Sequence, residues 1–133
     1  MPGDAERFNE LMTQVMTNVS HFGHRQHVHL SWLAVRRYGA TNACQLVCAG
    51  IQRTARYAGA PQKYHATVSR AWIELIAYHA AEHEIEDFDT FTRHNSALLD
   101  KRLLLRFYEP STLASSVART DWVKPDRAPF PMN

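Results

Sequence analysis

Residues 24–51, HRQHVHLSWLAVRRYGATNACQLVCAGI, contain two helical patterns that meet at a glycine. From His24 to Tyr38 apolar residues recur every three or four positions, as one face of a helix requires. Gly39 stands where a glycine often ends a helix, and Thr41 is a favourable N-cap for the next one. The apolar face of that next helix consists of Ala43, Leu46, Val47, Ile51, Ala55 and Ala58. Because the connection "GAT" is so short, we expect the two helices to pack antiparallel.

The same periodicity predicts a helix on either side of this pair. The first runs from Glu6 to Val19, and a fourth runs from about Tyr64 to His83 after the loop "AGAPQK". The loop before the fourth helix is also short, so the helices beginning near His24 and Tyr64 should lie parallel.

The C-terminal third predicts shorter elements. Asp87 can cap a short helix through Phe88 and Phe91, residues 96–108 (SALLDKRLLLRFY) form a further helical pattern, and Pro110 suits a first helical turn. The proline-rich tail, from about 119 to 133, should run extended over the surface, held by Trp122 and Phe130. No strand pattern is visible, so the sequence predicts an all-α, single-domain helical bundle over residues 1–133.

Composition excludes several classes of protein. A chain of 133 residues with 45% hydrophobic content can bury one core. Lys and Arg number 15 against 13 Asp and Glu, and they are spread along the chain, which argues against a nucleic-acid binder. No segment has the roughly 18 uncharged apolar residues of a transmembrane helix, and no secretory signal is visible. We therefore expect a cytoplasmic protein that binds neither nucleic acid nor membranes.

Histidines are concentrated at the start of the second predicted helix, where residues 21–30 contain four of the eight in the chain. At about 100° per residue His24 and His27 share a face, whereas His29 points elsewhere. Parallel packing of the second and fourth helices brings His65 to the same end of the bundle. The sequence thus predicts that His24, His27 and His65 converge.

Three imidazoles with an open coordination position are typical of a mononuclear Cu, Fe or Zn site. The two helix N-termini would keep the imidazoles neutral and would favour an anionic substrate. Our leading hypothesis is therefore a small transition-metal enzyme that acts on a small-molecule substrate. Redox chemistry with O2 is slightly favoured over hydrolysis or lyase chemistry because the ligand set contains no thiolate. Whether His21 or a carboxylate completes the site stays open.

Tyr64 and Thr67 flank His65 and are candidate catalytic residues, since each could orient the imidazole or donate a hydrogen bond to a ligand. Core packing and helix capping are the alternative roles for these two side chains.

Four alternatives to the metal enzyme stay open. The same histidines could form a metal-free acid/base or binding pocket, or a purely structural imidazole cluster. They could also be axial ligands of a haem. A non-catalytic partner-binding bundle would instead expose an apolar patch, for example around Trp122 and Phe130, and a homodimer fits this class.

Two other patterns are weaker. Residues 79–83, HAAEH, match the H-x-x-E-H motif of inverted zinc peptidases. They lie about 20 Å along the helix from His65 and are followed by acidic residues, which favours a surface helix end. Cys44 and Cys48 could bind a soft metal, but their apolar neighbours favour burial as small core residues.

The chain resembles other proteins in four segments: FGHRQHVHLSWLAVRRYG (22–39), KYHATVSRAW (63–72), LLDKRLLLRFYEPSTLASS (98–116) and WVKPDRAPFP (122–131). In them the chain resembles a family of small, largely uncharacterised bacterial helical proteins with an HRxH and a YHxT element. This resemblance implies His24, His27 and His65 as the residues of interest and implies no particular reaction. The family pattern often has an acidic residue where this chain has Gln26.

Overall fold

The computed structural model describes residues 3–131, and within them the chain is helical with no strand. Four main helices come first: α1 (Asp4–Val15), α2 (His24–Tyr38), α3 (Ala40–Tyr57) and α4 (Ala66–Glu82). Three shorter helices follow: α5 (Phe88–His94), α6 (Pro110–Leu113) and α7 (Ser116–Thr120). Single 3-10 segments occupy Pro61–Lys63, Ser96–Leu99 and Lys101–Arg106. The predicted all-α bundle with four main helices is confirmed.

Helix α2 lies at the centre of the fold and packs against α1, α3 and α4. Its inward side chains meet those of the neighbouring helices in one continuous apolar core. The fully buried residues of this core include Leu11, Val28, Leu30, Leu46, Ile73, Leu75 and Ile76.

The connection between α2 and α3 is a single glycine. Gly39 has a φ of +82°, which side chains other than glycine rarely tolerate, and its N–H bonds to the carbonyl of Val35 at 2.9 Å. The short link is confirmed, but Thr41 is not the N-cap, because α3 begins at Ala40 and Gly39 caps both helices.

The first helix ends earlier than predicted. It stops at Val15 instead of Val19, and Asn18 adopts a φ of +62° in the turn that follows. The turn leads through Gly23 into α2.

The segment 96–108 differs from its prediction as one helix. Two 3-10 segments meet at Asp100, whose carboxylate accepts a hydrogen bond from the backbone N–H of Arg102 at 2.9 Å. A short acidic side chain that bonds to nearby backbone competes with helical hydrogen bonds, which explains the break.

The tail after α7 is extended and attached to the bundle, as expected. Trp122 lies under the guanidinium of Arg70, 4.2 Å from its ring centroid, and Phe130 packs edge-on against Phe107 at 5.0 Å. Both aromatic rings are partly buried against the core, so they do not form the exposed apolar patch that a partner-binding protein would need. Positions 132 and 133 of the predicted tail lie outside the described residues. In the described part of the chain, every helix is too short or too polar to span a bilayer.

Candidate functional site

A cavity lies where the N-termini of α2 and α4 meet the segment Lys101–Arg106 and Leu113 of α6. Its volume is about 710 Å³, within the range of sites for small organic molecules. The three histidines that the sequence placed at one end of the bundle all line it, and His21 joins them. The apolar part of the wall consists of Phe22, Ile51, Val68, Trp72, Leu104, Leu105 and Leu113.

His65 is the N-cap of α4, and both of its ring nitrogens are used. Its Nδ1 accepts a hydrogen bond from the backbone N–H of Val68 at 3.1 Å, and its Nε2 lies 2.8 Å from the carbonyl oxygen of Leu113. A carbonyl only accepts, so Nε2 carries the proton and Nδ1 the lone pair. In this arrangement His65 has no lone pair to offer a metal ion or a substrate proton.

His24, in the first turn of α2, has one ring nitrogen committed. Its Nε2 donates to the carbonyl oxygen of Leu98 at 2.9 Å, which leaves the lone pair on Nδ1. The ring packs against the indole of Trp72, with 4.5 Å between centroids. Burial is the main cause that lowers the pKa of His24, and nearby Lys101 lowers it further against the opposing effects of the Leu98 carbonyl and Asp100. His24 is therefore a neutral base at pH 7.

His27 differs from both, because its Nε2 is buried and has no hydrogen-bond partner among residues 3–131. Burial, with a smaller contribution from His24, lowers the pKa of His27 to about 4. Its ring centroid lies 6.5 Å from that of His24 and 6.4 Å from that of Phe22. A buried polar atom without a partner costs about 1–3 kcal/mol, so such atoms are rare and often mark a function.

Among residues 3–131, the cavity is lined by cations and by no carboxylate. Lys63, Lys101 and Arg102 all contribute to its wall. Arg102 is paired with Asp100 through two contacts of 3.1 Å, so part of its charge is balanced. Within the described chain no carboxylate lies within 4.0 Å of Lys63 or Lys101. The electrostatic potential of the cavity therefore favours an anion.

The two predicted catalytic residues do not line this cavity. The hydroxyl of Thr67 is fully buried, donates to the carbonyl of Asp121 at 2.7 Å and accepts from the N–H of Val123 at 3.1 Å. Burial, together with neighbouring Cys48, raises the pKa of Tyr64 to about 12. Thr67 thus anchors the tail, and Tyr64 stays protonated at neutral pH. Neither residue lines the cavity, and a catalytic role for them stays a prediction.

The three predicted ligands share a cavity but do not form a metal-binding group. Over residues 3–131 no three His, Cys, Asp or Glu side chains lie close enough together to hold one ion. In addition, two backbone groups already use both ring nitrogens of His65.

The other motifs lie outside the cavity. His79 has its Nδ1 3.8 Å from Glu82 near the far end of α4. Cys44 and Cys48 are free and half-buried on α3, outside the cavity wall. A hydrogen bond from the Cys48 thiol lowers the pKa of Cys44 to about 7, and the same contact raises the pKa of Cys48.

Sequence reasoning missed the cationic residues of the site. Lys101 and Arg102 belong to the run DKRLLLRFY, whose alternation of charged and apolar residues is typical of a solvated helix face. A usable signal in this run was Asp100, a residue type that often caps a helical segment, directly before Lys101 and Arg102. Lys63, next to the predicted start of the fourth helix, could have been placed beside His65.

No protein-family model, curated protein or solved structure matches this chain. Its function is therefore inferred from the cavity itself.

Proposed function

We propose that the cavity is a metal-free binding site for a small organic anion. The single observation that carries this proposal is the composition of the wall, in which apolar side chains and uncompensated lysines occur together without a carboxylate. Such a wall fits a ligand with an apolar body and one negatively charged group.

The apolar body would lie against Phe22 and Leu105, which both line the cavity and keep solvent-accessible surface. The charged group would lie near Lys63 and Lys101. An ion pair near a protein surface contributes on the order of 1 kcal/mol, and the positive ends of α2 and α4 add to it.

Proton transfer is the chemistry available to a bound ligand. His24 is neutral at pH 7, with its free lone pair on Nδ1, so it could accept a proton from the ligand. His65 could not, since its lone pair is already used by Val68.

The proposal is tested by calorimetric titration with octanoate, benzoate and the neutral analogue benzyl alcohol. We expect the carboxylates to bind and benzyl alcohol to bind at least about tenfold more weakly, and we expect added salt to weaken the carboxylates only. Lys101→Gln should reduce carboxylate affinity about five- to tenfold, whereas Lys124→Gln, an exposed lysine outside the cavity, should not change it. Equal binding of charged and neutral compounds, or equal effects of the two substitutions, would contradict the proposal.

A second candidate is the transition-metal enzyme, and the unpartnered Nε2 of His27 beside His24 favours it. A Cu, Fe or Zn ion could take these two imidazoles, with His65 joining only after it releases Val68 and Leu113. Redox chemistry with O2 or hydrolysis would then be the reaction class.

Elemental analysis and an absorption spectrum, on protein purified without a metal-affinity tag, test this candidate and detect haem in the same sample. The candidate predicts a bound ion that is lost in His24→Ala and His27→Ala and retained in His79→Ala. If added Cu, Fe or Zn binds the His24→Ala, His65→Ala variant as tightly as the parent, the metal site is wrong.

A further inference from the structure

The unpartnered Nε2 of His27 distinguishes this cavity from an ordinary apolar cleft. Only one other buried side-chain atom in residues 3–131, Oε2 of Glu74, lacks a hydrogen bond, and it has the Arg70 guanidinium 3.4 Å away as counter-ion. His27 has no such neighbour, and its side chain is part of the cavity wall. The nitrogen itself has almost no solvent-accessible surface, although the residue that carries it lines the cavity.

Among the described residues 3–131, no group is placed to satisfy this nitrogen. The nearest polar ring is that of His24, 6.5 Å away between centroids, whose Nε2 is bonded to Leu98. On the other side is the apolar ring of Phe22. Ser31, one turn further along α2, uses its hydroxyl on the backbone carbonyl of His27. A group of the molecule in the cavity can supply the partner if the side chains that cover the nitrogen give way when the ligand enters.

We infer that the ligand is an aromatic hydroxy acid, whose ring hydroxyl bonds to Nε2 of His27 while its carboxylate lies near Lys63 and Lys101. A neutral imidazole presents Nε2 as either a donor or an acceptor, and a hydroxyl matches both. The ring of the ligand matches the aromatic surface of Phe22 in the cavity wall. This inference rests on the proposed anion-binding function and adds the chemical class of the ligand.

The ring hydroxyl of the ligand should increase affinity strongly, because a ligand without it leaves the buried Nε2 of His27 without a hydrogen bond. A lost hydrogen bond of this kind corresponds to about a ten- to hundredfold change in affinity. The carboxylate, which lies among lysines at the solvent-facing part of the site, should contribute less.

Titration of the full-length protein at pH 7.5 with 3- and 4-hydroxybenzoate, benzoate and phenol tests the inference. We expect at least one hydroxybenzoate to bind about tenfold or more tightly than benzoate. In His27→Leu this preference should disappear while benzoate affinity stays within about twofold. His79→Leu, at the far end of α4, is the matched control and should keep the preference.

A measurement on the unmodified protein covers the case in which His27→Leu does not fold. With 15N-histidine labelling, the Nε2 resonance of His27 should move on addition of the tighter hydroxybenzoate and much less on addition of benzoate. His27→Gln, whose amide also donates and accepts, should retain part of the preference.

The failures of the two proposals are distinguishable. If benzoate and both hydroxybenzoates bind equally and His27→Leu changes none of them, the inference about the hydroxyl is overturned and anion binding stands. If phenol binds but no carboxylate does, the anion-binding proposal is overturned, and this inference is overturned with it.

Discussion

Two histidine pairs at helical spacing lie at opposite ends of the bundle and differ in almost every physical property. His24 and His27 open α2, have aromatic neighbours and line a cavity with lysines and no carboxylate. His79 and His83 lie near the end of α4, where Glu82 is 3.8 Å from His79 and His83 is exposed among residues 82–87 (EHEIED). Burial lowers the pKa of His79, but Glu82 opposes that shift.

The difference shows that spacing alone does not define a histidine site. Both pairs satisfy a helical ligand pattern, and the second also matches a known motif. Burial, the sign of the neighbouring charges and the use of each nitrogen by backbone groups decide what a pair can do. Only the pair at the cavity has a buried nitrogen without a partner.

Lowering the pH should produce the largest difference between the two histidine pairs, measured as their effect on the free energy of unfolding. In the folded protein the pKa of His27 is lowered to about 4, whereas in the unfolded chain it is about 6.5. Between pH 6.5 and 4 the unfolded state therefore binds a proton at this residue and the folded state does not. Stability should therefore fall with falling pH in this window, by up to about 3 kcal/mol from His27. Urea unfolding at pH values from 7.5 to 4.5 measures this loss.

In His27→Leu this part of the pH dependence should be absent. His79→Leu should change it much less, because His79 is partly exposed and Glu82 compensates. Identical pH profiles for the parent and His27→Leu would show that burial does not keep this histidine neutral.

Loss of the buried hydroxyl that holds the tail at the cavity end should destabilise the protein more than loss of an exposed hydroxyl on α5. Thr67→Val leaves the carbonyl of Asp121 and the N–H of Val123 without their partner in a buried site, so it should cost about 2 kcal/mol. Thr90→Val, in α5, removes an exposed contact to Asp87 and should cost less than about 0.5 kcal/mol.

Equilibrium unfolding gives both values, and hydrogen exchange at the Val123 amide shows whether the tail detaches. Thr67→Ser keeps the hydroxyl and should restore most of the loss. A Thr67→Ser variant as unstable as Thr67→Val would mean that the methyl group, and not the hydrogen bonds, stabilises this position.

The smallest of the three expected differences in stability is between the caps at the two ends of α4. His65→Ala removes the bond that caps the helix and the bond to Leu113, so we expect a loss of about 1–2 kcal/mol. His83 is the exposed C-cap without a hydrogen bond, and His83→Ala should stay within about 0.5 kcal/mol.

Thermal unfolding at pH 7.5 is sufficient for this comparison. His65→Asn, which keeps a capping side chain but cannot reach Leu113 in the same way, should fall between the parent and His65→Ala. Equal losses for His65→Ala and His83→Ala would remove the evidence that His65 is committed to the backbone.

Most of the fold was predictable because helix formation depends on nearby residues. The bounds of α2 match the prediction, and the cap of α5 at Asp87 is confirmed by its bond to the N–H of Thr90 at 2.9 Å. The errors occurred at Asn18 and Asp100, where a positive φ or a side-chain cap ends a pattern that apolar spacing alone would continue.

The site was predictable in position but not in chemistry. Short loops place His24, His27 and His65 at one end, and all three line one cavity. Their hydrogen-bond partners could not be predicted, because Leu98 is 74 residues from His24 and Leu113 is 48 residues from His65. The hydrogen bond from Thr67 to the tail carbonyl of Asp121 also joins distant residues, so it could not be predicted from the sequence either.

The amino-acid sequence by itself determined the helices and the end of the bundle at which the histidines gather, since periodicity, capping and loop length are local properties. Only the tertiary structure decided which nitrogens are free. His65 has both committed, His24 has one, and Nε2 of His27 has no partner in the described chain. The physical reason is that the tautomer and charge of an imidazole depend on burial and on carbonyls from distant segments, which come together only when the chain has folded.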